Sequence, residues 1–141
     1  MRNLAQFAVL ALIIIGLMLF FRGGGGSVPH PAIFATEPLE TVLAQSAADG
    51  KPVLVKFTAS WCPPCKVMDR EVFGRPAIAE QLSQRARVVA VDIDDRKDLA
   101  QQYKIQSIPT MVLIIGGEAK ARAEGGMDGG ELLAWMDRAA K

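Results

Sequence analysis

The sequence predicts an α/β domain, with a mixed central sheet flanked by helices, preceded by a single N-terminal transmembrane helix. Three observations carry this. Leu4 to Phe21 is apolar throughout except for Gln6 and Gly16. After residue 35, segments of helical spacing alternate with short runs rich in β-branched residues. The chain's only two cysteines lie in Trp61-Cys62-Pro63-Pro64-Cys65-Lys66, directly after one of those runs.

The apolar segment is 18 residues long and is bounded by Arg2 and Arg22. A bilayer core takes on the order of 20 helical residues, so residues 1–21 read as a membrane anchor. A cleaved signal peptide is the rival reading, but its apolar core is usually shorter and ends at a small-x-small site. Residues 22–35 read as a tether. The run Gly23 to Gly26 is flexible, and Val28-Pro29-His30-Pro31 is stiffened by proline. His30 in this segment reads as a solvated side chain.

Residues 36–141 supply the domain. Leu39, Val42 and Leu43 recur at helical spacing, with Thr36 as the expected N-cap and Asp49-Gly50 as the stop. Pro52 to Thr58 is a buried strand. A helix starting at Cys62 is broken by Gly74 and Pro76, and Pro76 opens a second helix carrying Ile78 and Leu82. Arg87 to Ile93 is a strand, and Asp92-Ile93-Asp94-Asp95 is its exit plus a helix cap rather than a calcium loop. The remainder reads as a helix over 95–103, a strand over 109–115, a Gly116-Gly117 hairpin into 119–123, and a last helix capped by Asp128. Leu132, Leu133, Trp135 and Met136 mark the buried face of that helix.

One small core fits this length, and a formal net charge of +1 with scattered lysines and arginines gives nucleic-acid binding nothing to rest on. Two cysteines and one histidine fall short of a structural zinc site. Lys66, where haem attachment needs histidine, excludes covalent haem. A purely structural disulfide would close too small a loop to stabilise much. The chemistry that remains is a reversible dithiol/disulfide couple needing no metal or organic cofactor. One helical turn brings Cys65 back over Cys62, which sits at the positive end of the helix dipole. Cys62 is then the attacking sulfur and Cys65 the resolving one. Pro63 suits the first helical position, whereas Pro64 removes a further donor that would have faced the Cys62 thiolate. The expectation is a reducing rather than strongly oxidising pair.

The Trp-Cys-x-x-Cys-Lys motif after a hydrophobic strand, together with Ile108-Pro109-Thr110, resembles the thioredoxin-fold family over roughly residues 36–141. The stretch Asp69 to Pro76 is most similar to the C-terminal periplasmic domain of the thiol:disulfide interchange protein DsbD and related membrane-tethered thioredoxins. The resemblance implies a cis bond before Pro109, with Ile108, Pro109 and Trp61 forming the surface on which a substrate docks. It also exposes a departure. Many thioredoxins carry a buried Asp six residues before the first cysteine, and Lys56 stands there. DsbD-like domains carry a carboxylate four residues after the second cysteine, and Asp69 holds that place. The resemblance implies Asp69 as proton acceptor; strand alternation and the helical turn set Lys56 and Asp69 side by side beneath the cysteines, the alternative being that Lys56 reaches out to solvent and Asp69 faces water.

The resulting expectation is a single-pass protein of the bacterial inner membrane whose domain lies on the periplasmic or extracytoplasmic side. There it reduces protein disulfides or relays electrons to them, recharged by a transmembrane electron donor of the DsbD/CcdA type. Apocytochrome cysteines, a periplasmic disulfide enzyme and an outer-membrane protein are all open as substrates. Two rivals stand beside it: an oxidase or isomerase of the same fold, and a non-enzymatic tethered module that holds a partner or Cu(I).

Overall fold

A computed structural model describes residues 31–141. Among them no helix is long and apolar enough to cross a membrane, and the anchor expected over residues 4–21, like His30, lies outside the described residues. The elements in chain order are α1 (Leu39–Asp49), β1 (Val53–Thr58), α2 (Pro63–Met68), a π-helical turn (Asp69–Phe73), α3 (Pro76–Arg85), β2 (Arg87–Asp92), α4 (Lys97–Gln102), β3 (Thr110–Ile115), β4 (Glu118–Glu124) and α5 (Gly129–Ala139).

The four strands lie in the order β2-β1-β3-β4, with β1 parallel to β2 and the other pairs antiparallel. This is the mixed sheet that the sequence predicts. All six residues of β1 are buried, because helices cover both faces of the sheet. Strand alternation sorts them. Val53, Val55 and Phe57 join Leu39, Val42 and Leu99 in one core, while Leu54 joins Met68, Phe73, Leu82 and Leu132 in the other. Lys56, two residues on from Leu54, falls on the second face, under α2 and the π turn. Gly116 and Gly117 have φ of 59° and 82°, the positive pair that a two-residue hairpin turn requires. Asp128 caps α5 in a reciprocal capping box with Glu131.

Three boundaries differ from expectation. Thr36 caps nothing: α1 begins after Pro38, and the Thr36 hydroxyl bonds Glu37 instead. Pro38 keeps the residue before it out of helical geometry, which delays the start. Nor does Asp95 cap α4, whose cap position is Arg96 without a side-chain bond. The Asp92 carboxylate accepts from Asp94 N (2.9 Å), and this local turn uses up the residues that would have opened the helix. Finally, Phe34 does not belong to a tether ending at 35. It is 7 % exposed, forms a parallel bridge with Val88, and packs on Phe73 with ring centroids 4.9 Å apart.

The break between α2 and α3 also has a form that composition does not disclose. Gly74 N donates to Asp69 O across five residues (2.7 Å), the wide closure of a π turn. A Cβ on Gly74 would sit 2.7 Å from that same carbonyl. Gly74→Ala is therefore expected to force the turn open and destabilise the domain by about 1–3 kcal/mol, as overpacking does. Urea denaturation checks this, and an unchanged midpoint would show that the turn relaxes freely.

Candidate active site

The redox pair sits where β1 leaves the sheet. Cys62 N donates to Ala59 O (3.2 Å), closing a turn that sets Cys62 in extended geometry as the N-cap of α2. Pro63 and Pro64 then occupy the first two helical positions and bring no N–H. The first backbone donor the helix offers is Cys65 N, and it points at Cys62 Sγ (3.3 Å). The two cysteines are joined as a disulfide with Cα atoms 5.3 Å apart. Both are buried, with Ala59 in their cluster and Ile93 and Ile108 packed against it.

A fixed surface surrounds them. The Ile108–Pro109 bond is cis. Pro109 O accepts from Gly125 N (2.8 Å), and the buried Thr110 hydroxyl donates to Ser107 O (2.7 Å), so both ends of the corner are tied. Trp61 is 61 % exposed and its Nε1 donates to Asp94 Oδ2 (2.6 Å), which pins the indole on the surface. Only Trp61 and Val67, the latter 48 % exposed, are large apolar side chains left open among the described residues. They flank the two cysteines in sequence, and an uncovered apolar pair at a reactive site is what a docking surface requires. Asp94 and Val67 escape sequence reasoning. Asp94 lies in a run that accounts for itself as a strand exit, and Val67 looks like any residue of an amphipathic helix.

Beneath the disulfide lies the charge pair. Lys56 is 0 % exposed; its Nζ donates to Asp69 Oδ1 (2.5 Å) and to Cys65 O (3.2 Å). The rings of Phe34 and Phe73 lie 5.7 and 5.4 Å from the ammonium, as cation–π partners. Cys65 O also accepts the Asp69 N–H, so its second lone pair takes the lysine. The structure thus brings Cys62, Cys65, Lys56 and Asp69 together, packs Ile108 against the pair with the cis Pro109 next to it in the chain, keeps Trp61 exposed beside Cys62, and leaves Pro63 and Pro64 exposed at the helix start. Among the described residues no group of three or more His, Cys, Asp or Glu is placed to hold a metal.

The sequence model of thioredoxin matches residues 33–138. The chain belongs to the thioredoxin family. It is 39% identical over 87 residues to a thioredoxin-like protein of Synechocystis sp., covering 62% of this chain and 80% of that protein. It is 37% identical over 87 residues to the thioredoxin of Acidithiobacillus ferridurans, covering 62% and 78%. Among solved structures, a thioredoxin from Thermus thermophilus superposes with a TM-score of 0.64 at 27% identity, covering 73% of this chain and 84% of that one. A structure described as DsbH oxidoreductase, at 24% identity, shares the fold with a TM-score of 0.65, covering 78% and 86%.

As a thioredoxin, the protein is a thiol:disulfide oxidoreductase that acts on protein disulfides through the Cys62–Cys65 pair, with no cofactor beyond that pair. Its departure at position 56 has an electrostatic signature. Burial lowers the Lys56 pKa below that of a free lysine, and the hydrogen bond and charge of Asp69 oppose the shift without cancelling it. The folded protein therefore releases this proton at a lower pH than the unfolded chain does. Stability should rise with pH across the alkaline window that ends near 10.5, the ordinary value for lysine. Denaturant midpoints followed against pH should show that rise in the wild type and lose it in Lys56→Met; parallel curves would refute it.

Proposed function

We propose that this thioredoxin is a membrane-anchored, extracytoplasmic reductase or electron relay, close in kind to the C-terminal periplasmic domain of DsbD. The observation that carries the reducing direction is the Pro63-Pro64 dipeptide. It leaves Cys65 N as the first helix donor available to Cys62 Sγ. A thiolate with fewer donors is less stabilised, so the pair gives up its electrons more readily than in an oxidase. The apolar segment 4–21 supports the anchor, and the glycine and proline run behind it supports a tether that lets the domain reach its partners.

In the reaction, the Cys62 thiolate attacks a substrate disulfide, forming a mixed disulfide and releasing one substrate thiolate. Cys65 then loses its proton to the carboxylate of Asp69 or to water and displaces the second substrate sulfur. Trp61, Ile108 and Pro109 receive the extended substrate segment. The oxidised pair is recharged by a transmembrane electron donor of the DsbD/CcdA type, because an oxidising compartment supplies no reductant of its own.

Three measurements test this. In cells, Cys65→Ala should accumulate mixed disulfides on Cys62 that name the substrates, and Cys62→Ser should abolish them. Mass-tag alkylation of the wild type should find the pair mostly as dithiol. A pair found mostly oxidised would transfer the protein to the oxidase reading. Carbonate-washed membranes should retain the full chain and release a chain lacking residues 1–21; a soluble full chain would remove the anchor.

A further inference from the structure

The two members of the Lys56–Asp69 pair are not equally dry. Lys56 is 0 % exposed, whereas the Asp69 side chain is 15 % exposed. Asp69 lines a cleft of about 1120 Å³, together with Thr58, Ser60 and Lys66. Water in that cleft screens the carboxylate, and nothing comparable screens the ammonium.

Among the described residues Asp69 is the one charged partner of Lys56. Its cross-strand neighbours are Ala90 on β2 and Met111 on β3. The rings of Phe34 and Phe73 lie over it, and the helix above contributes Cys65 O as an acceptor. Seen from Cys65, the pair therefore shows its positive end. A carboxylate at position 56, the residue the family resemblance leads one to expect, would have the opposite sign and would resist formation of a thiolate above it.

We propose that Lys56 is a positioning residue for the resolving half of the reaction, its buried ammonium favouring the Cys65 thiolate at the moment that sulfur attacks the mixed disulfide. This rests on the reading of Cys65 as the resolving sulfur. In that step the Cys65 S–H bond breaks and its proton passes to Asp69 or to water in the cleft. The sulfur's electron pair forms the bond to Cys62, the bond between Cys62 and the substrate sulfur breaks, and the substrate leaves as a thiolate that then takes up a proton. Over both halves the cysteine pair loses two electrons and the substrate disulfide gains them.

The test is a single turnover of the reduced full-length chain, in detergent, with an aromatic disulfide reagent whose two coloured thiolates leave in sequence. The first release reports attack by Cys62 and the second reports resolution by Cys65. Lys56→Met should move the pH–rate profile of the second release upward by about one unit or more, roughly a tenfold slowing below that range. Lys56→Met leaves a carboxylate without its partner and risks misfolding. The decisive comparison is therefore Asp69→Asn alone against Lys56→Met/Asp69→Asn, which contains neither charge. A shift between these two supports Lys56. Coincident profiles overturn the proposal, while a slow second release in both would keep Asp69 as proton acceptor. Wild-type kinetics in Asp69→Asn would instead remove Asp69 from that role, and a shift in the double variant would still stand for Lys56.

Discussion

A buried ammonium organises this domain. Taking an ion out of water costs several kcal/mol even after relaxation, and Lys56 has no route back to solvent from the middle of β1. The cost is offset only if acceptors come to it, and they come from one place, the junction of α2 and the π turn. Cys65 O and Asp69 Oδ1 both lie there, and the two aromatic rings close the remaining sides. The height and rotation of the active-site helix over the sheet are thereby held by a lysine buried beneath it. The active-site helix keeps its own bond at Cys65 O, whose second lone pair takes the lysine, and it widens just beyond into the π turn, where Gly74 leaves room.

The cysteine pair then inherits a rigid frame on one side and an apolar, open surface on the other. The buried disulfide is covered by Ile93 and Ile108, so reactivity is confined to whatever approaches between the pinned indole of Trp61 and the tied corner at Pro109. The Trp61 bond to Asp94 joins two loops 33 residues apart. The apolar surface beside the disulfide and the charge pair beneath it are thus built from separate sets of residues that meet at the two sulfurs.

Much of this was legible in the sequence because it rests on short-range spacing. Two cysteines three positions apart after a β-branched run announce a strand-to-helix corner. A period of two places Lys56 on the face of Leu54, and one helical turn carries Asp69 past Cys65, so their meeting follows from adjacent elements alone. What stayed hidden depends on contacts between distant segments. The π turn closes through Gly74 N to Asp69 O, and nothing in the string Asp69 to Phe73 distinguishes it from ordinary helix. The Trp61–Asp94 bond requires β1 and β2 to be placed side by side first. The glycine run and Val28-Pro29-His30-Pro31 carry the tether reading on to residue 35 and Phe34 with it, and only the edge of β2 reveals that the chain is already docked.

Phe34 also decides what counts as this protein's smallest faithful unit. Its ring covers one side of the ammonium, packs at a tilt against Phe73 and closes the core beside β2. A soluble fragment begun at residue 36, where proline and glycine composition invites the cut, would carry both cysteines and the whole sheet, yet would open Lys56 to water. Redox measurements on such a fragment would describe a hydrated lysine in place of a dry one. The native unit starts upstream of Ile33, and the chain enters it one side chain away from the charge beneath the disulfide.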